Sequence, residues 1–224
     1  MRDRRREFTA EEITALLDEL GIRLRHRGVA ASIFVVGGAA IAANRTRPDR
    51  VTDDVDALTR DSVVFDEAKI LARERGLAET WLNANAGAWM PPLPPGVLDR
   101  PEVPGLRVTY ADDGFLLATK LVAQRRTDAS DILLLAGRLG LAQATPEQLE
   151  AHIRTYYTDP AALEFIVDGN DVDREIELLA RDASRRLQRA ARAVGRGREH
   201  GGTNPTDPER HVPLPRSDDR SPGL

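Results

Sequence analysis

Asp54, Val55 and Asp56 lie between Val51 and Leu58, and alternation along a strand would put both carboxylates on one face and Val55 on the other. Two carboxylates side by side repel each other unless a cation sits between them. Hard oxygen ligands of this kind suit Mg2+, which is usually held by one or two carboxylates together with substrate phosphates. A second piece precedes them. The apolar run Ile33 to Val36 ends in Gly37-Gly38 and leads into the small residues Ala39 to Ala43, the order of a buried strand, a tight turn and a helix start. Glycine lets the backbone come close to a ligand, and a helix beginning there aims N–H groups at an anion such as a phosphate. Each piece alone also has a plain reading, as an ordinary turn after a strand and as a solvated acidic loop.

Together the two pieces are more specific. A glycine turn, a gap of 15 residues and the run Arg50-x-Thr52-x-Asp54-x-Asp56 resemble the signature of the nucleotidyltransferase superfamily that includes DNA polymerase beta. Within it, the likeness is closest to the bacterial AbiEii-type toxins and related nucleotidyltransferase-like proteins. These carry a lysine on a helix, then an arginine and an Asp-x-x-Asp pair leading into an apolar helix. Lys120, Arg125 or Arg126, Asp128, Asp131 and Ile132 occupy that pattern.

The resemblance implies transfer of a nucleoside monophosphate from a nucleoside triphosphate to a hydroxyl of tRNA or protein, with pyrophosphate leaving. Asp54 and Asp56 would hold Mg2+, Gly37, Gly38, Arg50 and Thr52 would surround the nucleotide, Lys120 would offset phosphate charge, and Asp131 would complete the catalytic set. It implies the toxin half of a toxin-antitoxin pair, with a cognate antitoxin as partner. Fully equipped relatives place a third acid on a neighbouring strand, and Leu106 to Tyr110 has none. Asp112 and Asp113 follow that strand but read as helix caps. Asp53 could supply an oxygen, but alternation turns it away from Asp54 and Asp56. A non-catalytic nucleotidyltransferase-like protein that binds nucleotide or a partner, as an antitoxin or regulatory subunit, therefore stays open. A dinucleotide site would need Gly-x-Gly-x-x-Gly after the strand, and only Gly37-Gly38 is present.

The elements that must position these residues follow from local patterns. Thr9 to Glu12 reads as a capping box, and Ile13, Leu16, Leu17, Leu20 and Leu24 recur at helical spacing up to about Arg27. Ser62 can cap a helix through Phe65, Ile70 and Leu71 that closes near Gly76. Trp81-Leu82-Asn83 follows, then a loop from Trp89 to Gly96 whose four prolines exclude a central strand or helix interior. That loop is either plain surface or a lid over the nucleotide. Strand Leu106–Tyr110 leads into a helix containing Phe115, Leu117, Lys120 and Leu121. Thr145-Pro146 and Asp159-Pro160 each open a further helix, and from Asp171 apolar residues recur at helical spacing to Val194. The expected architecture is α/β in the α+β sense: a small mixed sheet flanked by helices over residues 1–140, a helical region 141–194, and a tail 195–224 too polar to repay its ordering entropy. Neither Asp54 nor Lys120 is expected in the core.

Composition sets the outer limits. There is no cysteine, which removes disulfides, thiol catalysis and cysteine zinc sites. No run approaches a membrane span of about 20 apolar residues, and the charged start lacks an apolar core, so the expected location is cytoplasmic. A net charge of -4 argues against coating nucleic acid non-specifically. Seven arginines between Arg181 and Arg198, against the single acid Asp182, still form a basic stripe. Its readings are a solvated helix face or a surface for tRNA.

Overall fold

Thr9 opens the first helix by a reciprocal cap: its backbone N–H donates to the Glu12 carboxylate at 3.0 Å, and the Glu12 N–H donates to the Thr9 hydroxyl at 3.2 Å. The helix it starts, α1 (Ala10–His26), buries Ile13, Leu17, Leu20 and Leu24 on one face. The computed structural model of the chain describes residues 7–44, 51–167 and 171–199.

Four strands, β1 (Ala30–Val35), β2 (Val55–Leu58), β3 (Leu82–Asn83) and β4 (Gly105–Tyr110), form one mixed sheet in the order β3-β2-β1-β4. β1 runs antiparallel to β2 and parallel to β4, and β2 runs parallel to β3. Ala31 to Val35 are buried without alternation, the pattern of a strand covered on both faces. Ser32 is the polar residue in that run, and it is satisfied. Its hydroxyl donates to the Asp99 carbonyl at 2.6 Å and accepts from Arg107 Nε at 3.1 Å, which ties the loop after the prolines to the sheet.

The helices flank this sheet as the sequence predicts, with three local differences. α2 (Gly37–Ala43) follows β1 with no separate turn, because Gly37, at φ +65°, is itself the first helical residue. α3 (Val63–Arg75) ends at left-handed Gly76, but Ser62 at its start makes no side-chain cap bond. The entry turn is held instead by the Asp61 N–H, which donates to the Thr59 hydroxyl at 3.1 Å. Asp112 caps α4 (Asp113–Ala123) by accepting from the Phe115 N–H at 2.8 Å. Beyond α5 (Ala129–Arg138), Thr145 and Pro146 open α6 (Pro146–Tyr156), Asp159 opens α7 (Pro160–Ile166), and α8 (Val172–Glu199) completes the helical region. α8 passes the boundary expected at 194, so residues 195–199 are helical where composition predicted disorder. Once packing of Ile176, Ala180, Ala183 and Leu187 has fixed a helix, each added residue gains a hydrogen bond without a new nucleation cost. Residues 200–224 of the expected tail lie outside the described residues.

The buried apolar side chains form one cluster from Phe8 to Leu187. Phe115 joins its layers: its ring meets Phe34 of β1 edge-on at 5.2 Å and Tyr156 of α6 edge-on at 6.0 Å, contacts worth about 1 kcal/mol each beyond the area they bury. On the far side, Glu67 of α3 is buried against the Arg27 guanidinium at 2.5 Å, pinning α3 to the end of α1. No helix among the described residues is long and apolar enough to cross a membrane.

Gly114 supplies a test of this packing. A glycine-to-alanine change in a helix ordinarily gains up to about 1 kcal/mol. Here a Cβ would stand 2.0 Å from the Tyr156 hydroxyl. Gly114→Ala is expected to destabilise by about 1–3 kcal/mol in a urea titration, and Gly114→Ala/Tyr156→Phe to recover part of the loss. A stabilised single variant would contradict the close approach of α4 and α6.

Candidate functional site

The strand-to-helix junction and the acidic run meet at one point. The Val36 N–H donates to the Asp56 carbonyl at 2.9 Å, extending the β1–β2 ladder to the start of α2. Across it the Asp56 carboxylate lies against the Gly37 backbone, so a Cβ on Gly37 would sit 3.1 Å from Asp56 Oδ2. Glycine is required here twice over, by that contact and by its positive φ.

Asp54 stands just before β2. Thr52 shapes the approach: its backbone pairs with Phe8 in both directions, and its hydroxyl donates to the Asp54 carbonyl at 3.1 Å. Asn83, at the end of β3, donates from Nδ2 to Asp54 Oδ2 at 3.1 Å, while its Oδ1 accepts from the Asn85 N–H at 2.9 Å. One buried amide thus orients a site carboxylate and anchors the 3-10 turn Asn85–Trp89. The sequence offered the Trp81-Leu82-Asn83 triplet without a chemical role for Asn83. Its role arises from the parallel pairing of Asp56 with Asn83, a register that nothing local specifies.

Gly37, Gly38, Thr52, Asp54, Asp56, Lys120 and Arg125 line a single cleft of about 940 Å³. Asp53 lines it too, contrary to the alternation argument, because regular strand begins only at Val55. Arg50 lies outside the described residues. Asp112 and Asp113 serve α4 as its cap and first turn and are not among the residues lining this cleft.

Lys120 departs from the expectation of a non-core side chain. It is only 14% exposed, its ammonium is ion-paired with Asp128, and it lies 3.2 Å from Asp131 Oδ2. Asp128 also accepts from the Arg125 N–H at 3.1 Å. The Asp-x-x-Asp pair therefore acts as a support for Lys120. Asp131 is fully buried and touches the site through Lys120, since α5 carries it inward. Between Arg125 and Arg126, it is Arg125 that lines the cleft.

Burial, and next the charge of Asp54, push the Asp56 carboxyl up to about 6, against the pull of Arg125, Lys120 and the Ala86 amide. The Asp56 carboxyl thus resists ionising where it stands, chiefly because it is buried. Among the described residues no group of three or more His, Cys, Asp or Glu side chains forms a metal cage. Two carboxylates at an open cleft nevertheless fit Mg2+, which takes one or two carboxylates and completes its shell with phosphate oxygens and water.

The far wall of the cleft was not legible in the sequence. Trp89 and Met90 form part of the rim, and Phe165, Ile166 and Val167 of the α7 end, with Glu175 and Leu179 of α8, close it. The Gln124 amide fastens that wall to α4 by donating to the Leu179 carbonyl at 2.6 Å.

Two outcomes are expected. Lys120→Met leaves Asp128 and Asp131 buried without their cation and should cost about 3 kcal/mol or more in chemical denaturation; a neutral change would mean that the pair is solvated. For Asp56, ionisation opposes folding, because its folded value of about 6 lies above the ordinary 3.8. The cost is absent below the lower value and complete above the upper one. Asp56→Asn should therefore raise the melting temperature at about pH 7 and not at about pH 4, and Mg2+ should stabilise the unsubstituted protein more than the variant. Compared with protein-family models, curated proteins and solved structures, the chain matches none, and the site rests on its own geometry.

Proposed function

We propose that the protein is a Mg2+-dependent nucleotidyltransferase that moves a nucleoside monophosphate from a nucleoside triphosphate to a hydroxyl of tRNA or protein, as the toxin of a toxin-antitoxin pair. The observation that carries this reading is the convergence of Gly37, Gly38, Asp54 and Asp56 with Lys120 and Arg125 on one cleft, although they come from segments far apart in the chain. Asp54 and Asp56 would hold the metal. Bound there with the nucleotide, Mg2+ supplies charge neutralisation at the phosphates and lowers the pKa of the acceptor hydroxyl.

The chain's own residues supply the positioning. Asn83 holds Asp54 in one orientation, and Gly37 leaves room for the Asp56 carboxylate beside the backbone. Arg125 contributes the larger cationic pull on Asp56, ahead of Lys120, and is the better placed of the two to meet phosphate, since the Lys120 charge is shared with Asp128 and Asp131. Lys120 both neutralises and braces the α4–α5 corner. Catalysis of this kind is positioning and electrostatics rather than covalent chemistry. Arg185, Arg189 and Arg192 are exposed on α8 and offer an RNA acceptor a basic face, although Arg185 also lies 3.7 Å from Asp182.

A second reading is favoured by two observations. β4 carries no acid, and no three-carboxylate group forms among the described residues, so a non-catalytic nucleotide- or partner-binding role, as an antitoxin or regulatory subunit, uses the same cleft. The two readings separate in a transfer assay with purified protein, Mg2+, each labelled nucleoside triphosphate, and total tRNA or total cell protein as acceptor. The expected result is label on one acceptor class, lost in Asp56→Ala. Metal-dependent nucleotide binding without transfer would favour the non-catalytic reading.

A further inference from the structure

Phosphate chemistry leaves part of the cleft unexplained. Trp89 and Phe165 stack at its mouth with ring centroids 6.4 Å apart and planes at 29°, yet Trp89 remains 46% exposed and Phe165 73% exposed. Large aromatic faces left in water beside a cleft mark a surface that another molecule covers. Trp89 is presented from a held backbone, because the buried Tyr157 hydroxyl donates to its carbonyl at 2.9 Å. Met90, Val51, Ile166 and Leu179 continue the apolar lining.

Glu175, on α8, faces the same cleft. Among the described residues its carboxylate makes no hydrogen bond or ion pair. A lone carboxylate repels phosphate and accepts N–H donors. The cleft therefore carries cations at Lys120 and Arg125, an aromatic shelf, and an acceptor on the wall made by α7 and α8. A nucleotide matches all three, with phosphates toward the cations, its base on the aromatic faces, and the base's N–H groups toward the acceptor.

Resting on the nucleotide reading above, we propose that Trp89 and Phe165 stack the base of the nucleoside triphosphate, that Glu175 accepts from its pairing edge, and that guanine is the preferred base. Guanine presents a ring N–H and an amino group side by side, so a carboxylate engages both. Adenine and cytosine present an amino group beside a ring nitrogen that repels the carboxylate. Uracil presents one N–H flanked by two carbonyl oxygens and fits worst.

The test uses the full chain with Mg2+, titrated with GTP, ATP, CTP, UTP and inorganic tripolyphosphate, and followed by calorimetry and tryptophan fluorescence. Trp81 is 1% exposed and donates to the Ala68 carbonyl at 3.0 Å, so Trp89 is the fluorophore that a stacked base quenches. GTP is expected to bind about tenfold or more tighter than UTP, and Trp89→Ala to lose about tenfold in GTP affinity. Trp89→Phe should keep most of the affinity, and Glu175→Gln should narrow the GTP to UTP ratio. None of the three variants should change tripolyphosphate binding. If tripolyphosphate binds as tightly as GTP and Trp89→Ala changes nothing, the base subsite is overturned while the phosphate site stands. Equal GTP and UTP affinities would remove the role of Glu175. If neither tripolyphosphate nor any nucleotide binds, the subsite and the nucleotide reading fall together.

Discussion

A lysine ammonium taken out of water costs several kcal/mol unless carboxylates meet it, and Lys120 is met by two. Asp128 and Asp131 come from the turn and helix that immediately follow α4, so the ion group closes the corner between α4 and α5 on itself. That corner decides where Arg125 goes. The Arg125 N–H is bound by Asp128, and its guanidinium acts on Asp56 across the cleft. The cationic wall facing Asp56 therefore depends on a largely buried ion group, of which Lys120 also lines the cleft.

The opposite wall rests on backbone rather than charge. β1 is buried on both faces and hands directly into α2 at Gly37, where positive φ and the missing Cβ let the Asp56 carboxylate lie close. Asp54 is held from the other side by Asn83. The two carboxylates therefore lie at the start of an interior strand and are oriented by the elements on either side of it. Such an arrangement keeps like charges close at a cost in folding, which is how a fold stores affinity for a cation.

The C-terminal helices are part of this design. α6 and α8 pack with α4 into the same apolar cluster as the sheet. The end of α7 and the start of α8 bring Phe165, Glu175 and Leu179 to the cleft. The aromatic pair of Trp89 and Phe165 spans the sheet side and the helical side, while Tyr157 fixes the backbone of the first from the second. A cleft acidic at its floor and aromatic at its mouth results from packing two parts of the chain that show no common pattern.

Local chemistry was readable wherever neighbours in the chain decide the outcome. The capping box at Thr9, the helix start at Thr145-Pro146, the helix end at Gly76, the apolar strand before Gly37 and the placement of Asp54 and Asp56 at one cleft depend on spacings of a few residues, which the backbone converts directly into geometry. Readings failed where that reasoning was carried a residue too far, as at Asp53, or stopped at a compositional edge, as at residues 195–199. Tertiary structure alone decided the rest. It buried Asp131 against a half-buried Lys120, chose Arg125 over Arg126, gave Asn83 its partner and brought Phe165 and Glu175 to the same cleft as Asp56. The last two of those join residues tens of positions apart, and their energies depend on how closed loops and strand registers return the chain to itself, a quantity that no local period encodes.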